Sequence, residues 1–156
     1  FFETIFRLKD EGLNFELAIL GEQFKDYPKI FDKAKTKLLE NIAHFGYCEN
    51  FSDYAKWLWK ADILPVTSNQ DFFGISIVES CYCNTYPILP KRLSYTEIFD
   101  SNNNADYFYN NETQFYDKLK KIILNYKNNS FRLTKLIKKY DWKNIVSKYD
   151  KILNGF

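Results

Sequence analysis

The stretch that decides the fold is Ser68-Asn69-Gln70-Asp71-Phe72-Phe73-Gly74-Ile75-Ser76-Ile77-Val78-Glu79. A short apolar segment, residues 62–66, runs into it, and an amphipathic pattern typical of a helix runs out of it. This order predicts a strand, a glycine turn and a helix start at the carboxyl edge of a sheet, where open α/β folds bind ligands. The amino end of such a helix presents N–H groups and a positive dipole, so it suits a phosphate.

The rest of the chain alternates predicted strands and helices with short connections. Predicted helices cover residues 1–11, 28–40, 74–83, 112–125, 131–140 and 142–153, and a further helix ends at Lys60 with Asn50 or Ser52 as its cap. Predicted strands cover residues 15–20, 42–45, 63–66, 85–89 and 105–109. The alternation favours parallel strands joined by right-handed crossovers, and such strands are covered on both faces. We therefore predict one α/β domain over residues 1–156, a doubly wound, Rossmann-like parallel sheet followed by helices over about 112–154.

The composition is that of an ordinary globular domain. Of the 156 residues, 46% are hydrophobic and 27% are charged, which indicates a sizeable core and a solvated surface. No apolar run is long enough for a membrane span. The chain begins at Phe1 inside a predicted helix, without an initiator Met or a signal-peptide layout. We therefore expect a piece of a longer protein from which the first strand and its phosphate-facing loop are missing.

The cysteine and histidine content disfavours a metal site. There are three cysteines, Cys48, Cys81 and Cys83, none in a C-x-x-C spacing, and the single histidine is His44. Structural thiols in a reducing, cytoplasmic compartment fit this pattern best. His44, beside Phe45 in a predicted strand, fits a satisfied core histidine better than a catalytic base.

The charge is distributed unevenly along the chain. From Thr113 to Phe156 there are 11 basic and 3 acidic residues, whereas the whole chain carries a net charge of +2. A basic segment of this kind fits either an anionic partner such as RNA or a lysine-rich solvated helical face, and the latter is the simpler interpretation.

The two carboxylates of the quoted stretch suit the binding of a sugar nucleotide. Glu79 lies four residues after Ile75, so its carboxylate would look back at the Gly74 turn and accept bonds from two ribose hydroxyls. The N–H groups of Gly74 and Ile75 would face a diphosphate, and Asp71 would reach toward a sugar hydroxyl. The alternative is a solvent-facing helix glutamate and an ordinary loop aspartate.

The run Asp71-x7-Glu79 with Phe73-Gly74-Ile75 resembles the E-x7-E element of retaining, GT-B type nucleotide-sugar glycosyltransferases. The chain is most similar to the C-terminal, donor-binding half of the tRNA-queuosine alpha-mannosyltransferase family. Further similar stretches follow in the same order: residues 15–22, 44–47, 61–63, 86–99, 141–142 and 149–150. The Phe-Phe-Gly turn together with Pro90-Lys91-Arg92-Leu93-Ser94-Tyr95 is the most selective part.

The resemblance implies a role for each matching position. Asp71 matches the catalytic carboxylate near the transferred sugar, and Glu79 matches the carboxylate that holds the donor ribose. The remaining donor-binding positions are Gly46 and Tyr47, which border the nucleobase, and Phe73, Gly74 and Ile75, which approach the sugar and diphosphate. The implied donor is GDP-mannose, the implied acceptor is queuosine in tRNA, and the implied partner is an N-terminal Rossmann domain of the same protein. No metal ion or other cofactor is implied.

The chain departs from the family pattern in two respects. Asp71 stands where the family has glutamate, and one methylene fewer shortens its reach. The basic residues that grip the diphosphate would precede residue 1, so we expect this chain alone to be inactive. A non-catalytic module that binds nucleotide, RNA or protein is the main alternative, and a fold-related nucleotide-sugar epimerase is a third.

Several other charged and aromatic residues suit a ligand contact, packing or a solvated position. Lys91 and Arg92 suit either a phosphate or RNA contact or a solvated loop pair. Tyr95 and Glu97 fit packing below the donor site. The three tryptophans, Trp57, Trp59 and Trp142, are expected in core or interdomain packing.

Overall fold

The computed structural model describes residues 1–22, 28–126 and 133–155. The chain divides into two compact units. The first unit comprises residues 1–61 and 109–129, and the second comprises residues 62–108 and 130–156.

Helices and strands alternate along the described residues. The helices are α1 (Phe2–Asp10), α2 (Ile30–Lys37), α3 (Phe51–Lys60), α4 (Ile75–Tyr82), α5 (Tyr95–Ile98), α6 (Glu112–Asn125), α7 (Thr134–Ile137) and α8 (Trp142–Leu153). The strands are β1 (Leu17–Leu20), β2 (Ile42–Gly46), β3 (Ile63–Pro65), β4 (Tyr86–Pro90) and β5 (Phe108–Tyr109). Short 3₁₀ turns cover Leu39–Asn41, Ala105–Tyr107 and Lys138–Tyr140.

The strands pair as the alternating pattern predicts. In the first unit, β1 and β2 are parallel, with Leu20 opposite Gly46. In the second, β3 and β4 are parallel, and the order of hydrogen-bonded strands is β3-β4-β5. The predicted α/β fold with parallel strands is confirmed, and the described strands are hydrogen-bonded as two sheets.

Most predicted elements fall where the sequence placed them, with three differences. Residues 105–109 form a 3₁₀ turn and a two-residue strand, so the predicted five-residue strand is wrong. The described part of the predicted helix 131–140 is the single turn of α7 followed by a 3₁₀ turn, and residues 131–132 lie outside the described residues. The one-turn helix α5 was not predicted, because a single turn is too short to show a hydrophobic period.

The faces of the strands are less completely buried than the sequence predicts. All five residues of β4 are buried, and both residues of β5 are. By contrast, β1 and β2 are half exposed, and Ala18 of β1 is exposed. The faces of this two-stranded sheet are therefore not fully covered by the described residues.

The second unit has a continuous apolar core beneath α4. Each side chain of this core exposes less than one tenth of its surface, and together they pack around the strand β4. They are Val66, Ile77, Cys81, Leu89, Tyr95, Ile98, Phe99, Phe108, Leu133 and Ile137. Leu89, Tyr95 and Leu133 have no exposed surface. The inner face of α4 and the β4 strand are therefore fixed by the same core, which holds the start of α4 in place.

A carboxylate joins α1 to α6 in the first unit. The Tyr116 hydroxyl donates to Glu11 Oε1 at 2.6 Å, Lys120 Nζ lies 2.7 Å from Glu11 Oε2, and Arg7 Nε lies 3.0 Å from Oε1. The Arg7 guanidinium also lies 3.7 Å from the centre of the Tyr116 ring. The hydrogen bond from Lys120 first, and that from Tyr116 second, lower the pKa of Glu11 to about 2. The cluster pins α6 to the buried helix α1.

We predict that this cluster contributes stability that disappears in acid. Because the pKa of Glu11 falls from 4.5 to about 2 on folding, its contribution is complete above pH 4.5 and is lost as the pH falls toward 2. Thermal unfolding of Glu11→Gln should show a smaller loss of melting temperature between pH 6 and pH 2.5 than the parent does. The control is Glu3→Gln, which removes an exposed carboxylate from the same helix and should leave the parent's acid sensitivity in place. An equal acid loss in Glu11→Gln and the parent would contradict the assignment.

Candidate functional site

The loop of residues 67–74, called here the acidic loop, connects β3 to α4 at the carboxyl edge of the β3–β4 pair. Gly74 ends it with φ 76° and ψ 48°, a left-handed conformation. Its carbonyl accepts bonds from Ile77 N at 3.0 Å and Val78 N at 3.1 Å, so α4 starts from this glycine. The turn therefore sets the direction in which the helix leaves the sheet.

Two physical constraints require glycine at position 74. A left-handed backbone is strained for residues with a Cβ. A Cβ at this position would also lie 3.0 Å from Tyr95 Cε1, 3.2 Å from Asp71 Oδ2 and 3.2 Å from Ile77 Cδ1. The backbone of the turn is thus packed directly onto the side chains below it.

The amino end of α4 is open to a ligand. The helix has eight residues, no side chain among the described residues caps it, and Ile75 at its first position is 65% exposed. Uncapped N–H groups at a helix start, together with the helix dipole, stabilise an anion. The helix start predicted at Gly74 and Ile75 is present, and the contact of their N–H groups with a diphosphate stays a prediction.

Asp71 lies beside the turn and is already engaged by the protein. It is half-buried, and its Oδ2 accepts a hydrogen bond from the Tyr95 hydroxyl at 2.7 Å. A carboxylate accepts through both oxygens, so Oδ1 can still accept a bond from a ligand hydroxyl. The proposed contact with the transferred sugar stays a prediction.

Glu79 occupies the second turn of α4, four residues after Ile75, and is half-buried. Burial raises the pKa of the Cys83 thiol, and the Glu79 carboxylate raises it further, so the two side chains lie within electrostatic range one turn apart. Phe73, on the other side of the turn, packs edge-on against Tyr140 with ring centres 5.4 Å apart. The ribose role of Glu79 stays a prediction.

The first unit carries its own candidate site, called here the aromatic pocket, at the carboxyl edge of β1 and β2. Gly21 N donates to Gly46 O at 3.1 Å, so the two strands end side by side. Beyond them lies a cavity of about 370 Å³, lined by Leu20, Gly21, Glu22, Tyr47, Cys48, Glu49, Asn50, Phe51 and Tyr54. Tyr47 and Phe51 are 62% and 73% exposed. Exposed aromatic faces of this kind suit stacking on a planar base.

Sequence reasoning identified part of the aromatic pocket. It predicted Gly46 and Tyr47, and the structure places Tyr47 on the lining and Gly46 at the end of β2 beside it. It missed Phe51, Tyr54 and the two carboxylates Glu22 and Glu49. The available signal was positional, because residues just after parallel strands meet at one edge of the sheet.

The structure also decides between the alternative interpretations of several side chains. His44 is satisfied as predicted, with Nε2 3.2 Å from Gly46 O and its ring against Trp57. Trp59 and Trp142 are 64% and 63% exposed, so neither is a core residue of the described chain, and the expectation of interdomain packing stays a prediction. Arg92 is exposed, but it is not a plain solvated residue, since its guanidinium binds the acidic loop; the phosphate or RNA contact stays a prediction.

The cysteines are free thiols, as predicted. Cys81 is buried, Cys48 and Cys83 are half-buried, and burial raises the pKa of Cys81. Across the ranges that the structure describes, no group of three His, Cys, Asp or Glu side chains is placed to hold a metal ion. In the same ranges, every helix is too short or too polar to cross a lipid bilayer.

Comparison with known proteins identifies relatives of most of the chain. Residues 2–140 match the model of the family described as glycosyl transferases group 1. Over 101 residues the chain is 33% identical to the tRNA-queuosine alpha-mannosyltransferase of Drosophila melanogaster. The alignment covers 65% of this chain and 26% of that relative, so the chain spans about a quarter of the relative's length. No solved structure matches the chain significantly.

We predict that Gly74→Ala is more destabilising than Gly12→Ala. Both glycines are left-handed, with φ of 76° and 79°, so each substitution adds backbone strain. At Gly12 nothing lies within 4 Å of the new Cβ, whereas at Gly74 the Tyr95 ring lies at 3.0 Å. Urea unfolding should show a loss of about 1 kcal/mol at Gly12 and roughly 1–3 kcal/mol more at Gly74. Equal losses at the two positions would contradict the close contact between the turn and Tyr95.

Proposed function

Because the chain belongs to the group 1 glycosyltransferases, we propose that it binds GDP-mannose for the retaining transfer of mannose to queuosine in tRNA. Glycosyl transfer follows from the family. The transferred mannose and the queuosine acceptor are supported by the 33% identity to a relative whose name specifies both. The guanosine donor and the retention of configuration rest on the family resemblance of the sequence. We also propose a cytoplasmic location for the enzyme, which fits a tRNA acceptor.

The observation that carries the proposal is the open amino end of α4 behind the left-handed Gly74. Because no described side chain caps this end and Ile75 is 65% exposed, we propose that a diphosphate binds the backbone N–H groups of Gly74 and Ile75. The helix dipole stabilises negative charge there, and more of that charge develops on the leaving diphosphate as the glycosidic bond breaks. We assign the diphosphate to this end of the helix.

The two carboxylates of the second unit take separate roles in the proposal. Glu79, half-buried one turn along α4, accepts hydrogen bonds from the two hydroxyls of the donor ribose. Asp71, fixed through Oδ2 by Tyr95, offers Oδ1 to a hydroxyl of the transferred mannose. Such contacts orient the sugar so that its anomeric carbon is exposed to the acceptor.

The aromatic pocket of the first unit, taken by itself, suits a planar base. Its volume of about 370 Å³ holds a base, and Tyr47, Phe51 and Tyr54 offer apolar faces for stacking. Guanine presents two neighbouring N–H donors on one edge, and a carboxylate accepts both at once. Glu22 and Glu49, both on the lining, are therefore the candidates that would favour guanine over uracil.

Catalysis requires parts that we place outside this chain. Cations that neutralise the leaving diphosphate, and the surface that holds the tRNA, are assigned to an N-terminal Rossmann domain of the same protein. We propose that these cations and the α4 dipole suffice without a metal ion or other cofactor. The chain alone is then expected to be inactive.

The proposal is tested in the full-length protein that contains this chain. Radiolabelled mannose from GDP-mannose should appear in queuosine-containing tRNA, with and without EDTA, and not in the same tRNA lacking queuosine. UDP-glucose and UDP-N-acetylglucosamine should transfer no label. Transfer from a uridine donor would reject the guanine assignment, and no transfer from any donor to this tRNA would reject the proposed reaction.

Glu79→Ala tests the ribose assignment in the same protein. Because each hydrogen bond to a carboxylate contributes roughly 1.5–3 kcal/mol, the Kd for GDP measured by calorimetry should rise at least about tenfold. Glu97→Ala is the matched control, since Glu97 is an exposed glutamate of the same unit. An unchanged Kd in Glu79→Ala would remove the ribose role and leave the family assignment intact.

A further inference from the structure

The acidic loop is bonded to the segment of residues 91–95, which follows β4 and is called here the tether segment. Two of its side chains reach back to the loop over more than twenty residues of sequence: Tyr95 binds Asp71 and Arg92 binds Thr67, Ser68 and Asn69. Because β3 and β4 are adjacent parallel strands, the residues that follow them meet at one edge. The loop is thus held from one neighbouring segment at both of its ends.

Tyr95 fixes the carboxyl end of the loop from below. Its side chain is fully buried in the core of the second unit. From there the hydroxyl donates to Asp71 Oδ2 at 2.7 Å, and ring atom Cε1 lies 3.0 Å from where a Gly74 Cβ would be. The rigid Tyr95 side chain therefore sets the direction of the Asp71 carboxylate, and its ring sets how closely the Gly74 turn approaches the core.

Arg92 fixes the amino end of the loop from the surface. Its Nη2 donates to Ser68 O at 2.9 Å, Thr67 O at 3.3 Å and Asn69 Oδ1 at 2.9 Å, and Nε donates to Ser68 O at 3.2 Å. A guanidinium presents several donors in one plane, so it can hold successive backbone carbonyls in a fixed geometry. Through Nε and Nη2 the side chain therefore holds the loop backbone at residues 67–69.

The tether segment adopts a costly conformation to make these bonds. Leu93, between the two tethering residues, has φ 58°, which is rare for a large side chain. The next residue, Ser94, has a buried Oγ without a hydrogen-bond partner in the described chain. Backbone strain of this kind persists where many surrounding contacts hold the backbone in place, and it is concentrated at functional sites. The bonds of Arg92 and Tyr95 are the contacts that impose it here.

We propose that Tyr95 and Arg92 are positioning residues for the donor site, with Tyr95 acting through Asp71 and Arg92 through the acidic-loop backbone. This inference rests on the proposed function, because it assumes that Asp71 and the Gly74 turn meet the donor. It assigns to the tether segment the orientation of these groups, without direct contact with the reacting atoms.

The Tyr95 hydroxyl is suited to a constant donor role. Burial, and secondarily the hydrogen bond to Asp71, raise the pKa of Tyr95 to about 12. Protonated tyrosine donates, whereas deprotonated tyrosine would repel the carboxylate. The bond to Asp71 is therefore present throughout the neutral range, and Asp71 is not left to swing into solvent.

The first arm of the test measures the loop itself by hydrogen exchange in the full-length protein. Tyr95→Phe keeps the ring under Gly74 and removes the hydroxyl, and Arg92→Ala removes the guanidinium. Each should accelerate amide exchange in peptides covering residues 67–78 by about tenfold, the effect of losing one or two hydrogen bonds. Lys91→Ala and Tyr116→Phe are matched controls, because the first removes the neighbouring exposed cation and the second removes a tyrosine–carboxylate bond in the first unit. Unchanged exchange in both test variants would overturn the tether assignment.

The second arm is a double-mutant cycle on kcat/KM for GDP-mannose in the same protein. Tyr95→Phe should lose roughly tenfold or more, and Asp71→Ala should lose at least as much. If Tyr95 acts through Asp71, Tyr95→Phe should cause no further loss in the Asp71→Ala background. Losses that multiply would show a purely structural role for Tyr95 and overturn its coupling to Asp71. If the parent protein transfers no sugar, the proposed function fails, while the exchange arm still decides for or against the tethers.

Discussion

The left-handed backbone of Gly74, packed against the Tyr95 ring, is the constraint on which the candidate site of the second unit depends. The glycine starts α4, and its carbonyl accepts the first two bonds of that helix. The missing side chain leaves room for Tyr95, Asp71 and Ile77, which pack directly against the turn. Asp71 is within contact distance of the same point. The conformation of Gly74 thus determines the direction of α4, the distance between the acidic loop and the Tyr95 ring, and the access of a ligand to the amino end of α4.

Asp71 is a short acid whose direction is set by a neighbouring side chain. Asp71 has one methylene fewer than the glutamate of the family pattern, and a shorter side chain reaches less far. In this chain the Tyr95 hydroxyl holds one of its oxygens, so the carboxylate has a defined direction instead of a long reach. The conformational entropy of the Asp71 side chain is therefore lost on folding and not when a ligand binds. Preorganisation of this kind is what electrostatic contributions to transfer require.

Family membership and geometry support different parts of the functional argument. The match over residues 2–140 establishes that the chain belongs to the group 1 glycosyltransferases, and the activity proposed above rests on that membership. In the second unit, the end of α4 that no described side chain caps and the half-buried Glu79 are the groups from which the diphosphate and ribose assignments are proposed. The donor and acceptor identities depend on resemblance, because stacking and dipole effects are shared by all nucleotide sugars.

The sequence by itself determined the order of elements and the chemistry of the central stretch. Periodicity and the flanking polar residues predicted α1, α4, α6 and α8 within a residue or two, and spacing predicted that Asp71, Gly74 and Glu79 would surround one helix start. These features are local, so they are written in consecutive residues. Only the tertiary structure decided that Tyr95 lies beneath Gly74, that Arg92 holds the carbonyls of the acidic loop, and that Phe51 and Tyr54 line a pocket. Those contacts arise because parallel pairing brings the residues after different strands to one edge, and neither composition nor periodicity encodes which side chains then meet.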